Sequence, residues 1–259
     1  MKFDDLDKKM RVYETAADLC VLPGMFMVAR IDGRSFTRLT KNACQFEAPF
    51  DVRFRDLMVA TTKSLMNCGF KVIYAYTESD EISLLFDPDE RVFGRKLRKY
   101  NSTLAGEASA QFSVRLGQAA SFDCRISQLP NIELVVDYFR WRNEDASRNA
   151  LNSWCYWTLR KDGFSEQQAT KKLLGKSVSQ KNELLFQYGI NFNDIPSWQR
   201  RGVGLYWGNY AKTSINPMTN TKTVARRKRI QTNYELPMKS DYGIFVESII
   251  SQSRTAGAT

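Results

Sequence analysis

The sequence predicts an α+β fold: strand, helix, strand, strand, helix, strand over residues 1–135, then a helical, basic region over 136–259. Three observations predict it. Four short apolar runs, rich in β-branched and aromatic residues, read as strands at 25–32, 70–76, 82–86 and 119–126. Apolar residues recur at helical spacing between the first and second of them and between the third and fourth. Beyond residue 136 the period is helical, with aromatics and arginines interleaved. The order βαββαβ is that of a ferredoxin-like domain, whose first and third strands are central neighbours.

Taken in order, residues 2–20 predict a helix with Leu6, Met10, Tyr13 and Ala17 on one face, ended by Pro23-Gly24. The first strand closes on Asp32, and Gly33 lets the backbone turn beside that carboxylate. Residues 37–49 read as loop. Asp51 opens a helix to about Asn67, with Phe54, Leu57, Met58, Thr61 and Leu65 inward and Asn67-Cys68-Gly69 as its stop. The second and third strands form a hairpin around Glu78-Ser79-Asp80-Glu81, a turn without Asn-Gly or Asp-Gly chemistry. Asp87-Pro88-Asp89 caps a helix over about 89–116. Its start carries Arg91, Arg95, Lys96, Arg98 and Lys99, and i, i+4 spacing puts Arg95 and Lys99 on one face. Further helices are expected over 137–160, from the capping box at Ser165–Gln168, and over 179–187. Gly175-Lys176-Ser177 is not a phosphate loop, because the motif's first glycine would fall at Thr170. An apolar strand is expected near Val203–Trp207, and a tail without order from Ser251. The run Arg226-Arg227-Lys228-Arg229 is a charge cluster of low specificity, compatible with a phosphate contact.

Composition narrows the chemistry. The 259 residues carry a net charge of +10, with a pI near 9.4, which favours a polyanionic partner, nucleic acid ahead of a membrane surface. No apolar run reaches the ~18 residues of a membrane span. The charged start is unlike a signal peptide, and five widely spaced cysteines read as reduced thiols, so a cytoplasmic location is expected. The absence of histidine excludes Ser-His-Asp and Cys-His nucleophile systems and His-based zinc sites. Carboxylate–metal chemistry, Lys/Arg electrostatics or passive binding remain.

Asp32 and Asp80 are the candidate site. A carboxylate at the end of a core strand is costly to desolvate unless a cation balances it. Two of them on neighbouring strands point to a divalent cation, and Mg²⁺ takes one or two carboxylates with substrate phosphates and water. Asp123 is a candidate third carboxylate or a strand-end turn residue. A basic helix start suits a triphosphate, although a solvated charged face has the same pattern. The aromatic and arginine mixture after residue 137 suits stacked RNA, and equally a core.

Six segments in order resemble the tRNA-histidine guanylyltransferase family. They are Arg30-Ile31-Asp32-Gly33-Arg34-Ser35-Phe36, Glu78-Ser79-Asp80-Glu81 and Phe93-Gly94-Arg95-Lys96-Leu97-Arg98-Lys99. The others are Ser121-Phe122-Asp123-Cys124-Arg125, Asp137-Tyr138-Phe139-Arg140-Trp141-Arg142 and Lys181-Asn182-Glu183-Leu184-Leu185-Phe186. The resemblance implies a polymerase-palm core that adds nucleotides to the 5′ end of tRNA, using ATP or GTP to activate that end. It implies two Mg²⁺ ions at Asp32, the Gly33 carbonyl and Asp80, with Glu81 in support. Arg34, Ser35, Phe36, Thr37 and Ser79 would join Asp32, Gly33 and Asp80 around the nucleotide. Arg95, Lys96 and Lys99 would hold triphosphate oxygens, and Arg148, Asn149 and Lys181 would meet tRNA. Family members are commonly homotetramers. Where the eukaryotic enzymes carry His-Ile-Asn-Asn-Leu-Tyr-Asn, this chain has Ser147-Arg148-Asn149-Ala150-Leu151-Asn152-Ser153. The chain is therefore similar to the bacterial and archaeal guanylyltransferase-like branch, implying template-dependent 3′–5′ repair of 5′-truncated tRNAs. The alternatives are addition of a single G to tRNA-histidine and a ferredoxin-like RNA-binding protein without chemistry. A palm-type cyclase would share the acids but not the basic second half.

Overall fold

The computed structural model describes residues 1–40, 44–215 and 222–255. The core follows the expected order: β1 (Phe26–Arg34), α3 (Val52–Leu65), β2 (Val72–Glu78), β3 (Glu81–Phe86), α4 (Leu97–Leu116) and β4 (Ser121–Leu129). Before these helices lie α1 (Phe3–Thr15) and a single turn, α2 (Phe36–Arg38). After β4 come α5 (Ile132–Lys161), α6 (Glu166–Leu173), α7 (Val178–Gln187), α8 (Ser197–Arg201), β5 (Val203–Ile215), β6 (Lys222–Asn233) and α9 (Lys239–Thr255). The sheet order is β4-β1-β3-β2-β5-β6, every pair antiparallel. Its first four strands reproduce the ferredoxin-like arrangement, with β1 and β3 central.

Period-two alternation sorts the strands' side chains onto two faces. Met27, Ala29, Ile31, Ile82 and Leu84 join Met58, Leu65, Leu104 and Phe112 of α3 and α4 in one core. Phe26, Val28, Tyr74 and Leu85 pack on the other face against Val135 and Phe139 of α5 and Val246 and Ile250 of α9. The 30 residues of α5 outrun the sheet. Their second half builds a separate core with α6 and α7, from Leu151, Cys155, Leu159, Ala169, Leu173 and Leu185. Both capping boxes, at Ser165 with Gln168 and at Ser177 with Gln180, start these short helices.

The structure corrects five sequence expectations. The first helix ends at Thr15, and no residue of α1 is buried, so Leu6, Met10 and Tyr13 face outward. The basic helix begins only at Leu97, because Phe93, Gly94 and Arg95 take positive φ angles and break the helical path. Arg95 and Lys99 therefore share no helix face. Residues 37 and 38 of the expected 37–49 loop belong to α2, and its residues 41–43 lie outside the described residues. The second half is not purely helical: β5 and β6 extend the sheet of the first half, and β5 runs far past the expected Trp207. Residues 251–255 are the last turn of α9 rather than a disordered tail, because Ile249 and Ile250 anchor the helix to the sheet.

Candidate active site

Strand register builds the site. Asp32 pairs with Asp123 on one side and Glu81 on the other, and Glu81 pairs with Glu78. Directly opposed residues share a sheet face. Four carboxylates thus form one row across β4, β1, β3 and β2. One step back along the strands is a second row, Arg125, Arg30, Ser83 and Tyr76. The arginines answer the acids: Arg30 Nε lies 3.1 Å from Asp32 and 3.8 Å from Glu81, and Arg125 reaches Asp32 at 3.2 Å and Asp123 at 3.3 Å. From α5, Arg142 grips Glu81 with two parallel bonds of 2.7 and 2.6 Å, both side chains buried. Burial works to raise the Glu81 carboxyl and the Arg142 fork works against it; the bidentate geometry favours the carboxylate.

Asp80 sits in the β2–β3 turn, where the Gly33 N–H donates to its carbonyl at 3.0 Å and joins the two acidic segments. Burial raises the Asp80 carboxyl, and the Asp32 charge adds to the effect. Burial, then Glu81, pushes Glu78 up to about 8, so it enters neutral solution protonated. Ser35 and Ser79, each following a carboxylate segment, hold left-handed φ angles of 61° and 47°. Such conformations cost non-glycine residues roughly 1–2 kcal/mol each and gather at functional sites. At Gly33 a Cβ would lie 2.5 Å from the Phe36 ring. Gly33→Ala is expected to cost about 1–3 kcal/mol by displacing that ring, read by urea denaturation.

The acids open onto a cavity of about 400 Å³. Asp32, Ser79, Asp80 and Glu81 form its polar floor, with Phe46, Phe50, Trp157 and Trp198 along its walls and Asn149 at its rim. That volume lies in the range of small-molecule sites. Asp51, at the same cavity, caps α3: its carboxylate accepts from the Arg53 and Glu47 N–H groups, both at 2.7 Å, and pairs with the Arg53 guanidinium. The Arg53 bonds hold Asp51 down to about 2, against burial. A depressed folded pKa stabilises above the unfolded value of about 4 and is lost as pH falls through about 2. Asp51→Ala is expected to cost about 1–2 kcal/mol at pH 7, most of it gone near pH 2, measured by denaturation at both.

Other expected site residues lie elsewhere. Arg34 and Ser35 line a neighbouring open hollow with Arg38 and Ser121. Phe36 is a correction: its side chain is buried among Phe54, Phe112 and Phe122, leaving only main chain for a ligand. Thr37 is exposed. Arg95, Lys96 and Lys99 are also corrected. The buried Arg95 guanidinium donates to the carbonyl of Met25, just before β1, whereas Asp32 is near that strand's far end. Seven residues of strand put them roughly 23 Å apart. Lys96 pairs with Asp18 at 2.7 Å, and Lys99 lies over Phe93. Topology is the reason: β3 carries the chain away from the acids, so α4 starts at the opposite end. Arg148 is exposed and paired with Asp145, which Asn149 also contacts. Lys181 lies on α7, whose carbonyl there accepts from Cys155. Arg30, Arg125, Arg142 and Glu78 join the site beyond the residues the sequence predicts; each lies within one of the six family-like segments, but only register and packing bring it to the acids.

Among the described residues no three acidic, cysteine or histidine side chains form a ready cage for a metal. The all-oxygen set of Asp32, the Gly33 carbonyl and Asp80 does fit Mg²⁺, which takes few carboxylates and completes its shell with phosphate and water.

Comparison with known proteins decides the family. Residues 7–130 match the domain described as tRNAHis guanylyltransferase, and residues 133–245 match the Thg1 C terminal domain. The tRNA(His) guanylyltransferase of Debaryomyces hansenii is 34% identical over 71% of this chain and 74% of its own length. This chain belongs to the tRNA-histidine guanylyltransferase family. A probable tRNA(His) guanylyltransferase of Drosophila melanogaster is 33% identical over 72% of this chain and 68% of its own. A bacterial tRNA(His) guanylyltransferase (Thg1)-like protein in complex with GTP superposes with TM-score 0.72 and 27% identity, over 95% of this chain and 99% of that one. The corresponding ATP complex gives TM-score 0.77 over 95% and 98%. The family's fold, an α+β polymerase palm, is the fold described above. No helix among the described residues is long and apolar enough to cross a membrane.

Proposed function

We propose that the chain is a Mg²⁺-dependent, template-directed 3′–5′ nucleotidyltransferase that activates the 5′ end of truncated tRNAs and adds nucleotides there. One observation carries this: a row of strand-end acids, closed by Asp80, that opens on a nucleotide-sized cavity. In this reading Asp32, the Gly33 carbonyl and Asp80 hold two Mg²⁺, which would neutralise charge on the transferring phosphoryl group. Glu81, fixed by Arg142, keeps the β3 end of the row in place. Ser79 and the segment from Asp32 to Thr37 contact the nucleotide, GTP or ATP, and Arg148, Asn149 and Lys181 meet the tRNA. Arg30 and Arg125 balance the acids before substrate arrives and can turn toward incoming phosphate. We keep a triphosphate role for Arg95, Lys96 and Lys99 only in a homotetramer, where another copy would bring them to this pole.

A second reading, addition of one G to tRNA-histidine, is favoured by the names of the relatives. A 5′-labelled tRNA lacking its first nucleotide separates the two, given each nucleoside triphosphate in turn against different opposing bases. Extension only by the complementary nucleotide, whatever the anticodon, supports templated repair. G addition restricted to tRNA-histidine, regardless of the opposing base, supports the second reading and overturns the first.

A further inference from the structure

The aromatic residues of α5 divide once the fold is in place. Tyr138 and Phe139 are buried and Trp154, Tyr156 and Trp157 are partly covered, whereas Trp141 is 56% exposed. It is the one exposed tryptophan of the chain's five. An indole left in water has much apolar surface to gain from a flat partner.

Helix geometry fixes which way the ring faces. Toward the sheet, α5 sends Arg142 onto Glu81 and the Tyr138 hydroxyl to that of Ser83, at 3.1 Å. On one flank Arg140 packs beside Gly243 of α9, and Asn143 donates to the Arg201 carbonyl of α8; both of those helices also touch β2. At about 3.6 residues per turn, Trp141 falls on the opposite flank, which looks over β1 and β4. Arg148 stands on that same flank, seven residues and two turns along. Arg142 lies 4.7 Å from the centre of the indole and Tyr138 meets it edge-on, with ring centroids 6.0 Å apart. One face and one edge are thus taken, and the other face is left open.

The floor before that face is a shelf at the edge of the sheet. β4 is the edge strand, and Asp123 and Arg125 are exposed on it, with Arg125 joined to Asp32. Trp141 reaches the same acid through Arg142 and Glu81, which pairs with Asp32. This shelf is not the nucleotide cavity. From α5 that cavity takes Arg142, Asn149, Ser153 and Trp157, on the side turned to the sheet, and it has aromatic walls of its own for one nucleobase. The shelf lies on the β4 side of Asp32, runs out at the sheet edge, and carries Arg125 and Arg148 for a phosphodiester chain. An open-ended site beside the reacting acids suits the end of a polymer, and the base nearest a reacting 5′ phosphate is that of the first nucleotide. Every base has a π-face for indole, so such a contact is blind to base identity, as a templated reaction on several tRNAs needs.

We propose that Trp141 is a stacking platform for the 5′-terminal base of tRNA, a positioning residue that holds the acceptor end beside Asp32 and Asp80. The proposal rests on the tRNA reading above. The probe is a 5′-truncated tRNA with 2-aminopurine as its 5′-terminal base, whose emission falls when an indole stacks on it. At saturation the wild-type complex should be about twofold dimmer than the Trp141→Leu complex. Trp141→Leu should also raise the KM for tRNA about fivefold or more, with GTP affinity equal to wild type. Trp141→Phe keeps a ring and should recover most of the tRNA affinity. Equal emission from the wild-type and Leu complexes, a Phe variant no better than Leu, or a matching loss of GTP affinity overturns the platform. A fall in solution mass of Trp141→Leu, by light scattering, also overturns it and makes Trp141 a contact between copies of the chain. If wild type extends tRNA while the two complexes emit alike, only the platform fails; wild type without tRNA affinity defeats both readings.

Discussion

Asp32→Asn and Asp80→Asn should each lower nucleotide addition to tRNA by about 10³-fold or more, because phosphoryl transfer depends on positioned charge. The reason is local. Asp32 and Asp80 come from two chain segments joined through the Gly33-to-Asp80 hydrogen bond, and both face the cavity. Asparagine keeps the shape and removes the anionic oxygens that a hard cation needs. Affinity for tRNA should change by less than about threefold, since carboxylates repel phosphate and contribute little to holding RNA. Single-turnover extension and filter binding on the same preparations give both numbers. Turnover equal to wild type in both variants would defeat the metal assignment, whatever their stability.

Arg142→Ala should destabilise the fold by about 3–5 kcal/mol. Removing one partner of a buried ion pair strands the other charge, whereas removing both is often close to neutral. Arg142 and Glu81 are 6% and 8% exposed, and their bidentate contact ties α5 to the β3 end of the acidic row. Arg142→Lys should recover only part of the loss, because an ammonium cannot make the two parallel bonds. Arg142→Met combined with Glu81→Leu should recover most of the stability, measured by urea denaturation, while activity stays low. A loss below about 1 kcal/mol for Arg142→Ala would show that the pair is not a structural tie.

Local signals carried much of the fold. Short apolar runs located β1 to β4 to within a few residues, and Asp51 and Ser165 marked helix starts because side-chain caps act on adjacent N–H groups. The strand-end position of Asp32 and the turn position of Asp80 were legible for the same reason. So was the family, through short ordered segments.

Long-range geometry was not legible. The basic cluster at 91–99 reads as a phosphate site by composition, yet β3 delivers it to the end of the sheet away from Asp32. That depends on strand direction, which no local pattern encodes. Phe36 reads as loop, but Phe54, Phe112 and Phe122 converge on it from three elements. Leu6, Met10 and Tyr13 have helical-face spacing, but among the described residues no surface covers them. Arg226–Arg229 shows in the sequence as charge alone, and only strand pairing puts it on β6, beside β5 at the edge of the sheet. The sequence by itself determined which residues carry the chemistry and the helix and strand that bear them, because propensity, period and capping are local. Tertiary structure alone decided which charges meet, Arg142 with Glu81 and Arg125 with Asp32, because pairing across the chain depends on register and strand direction.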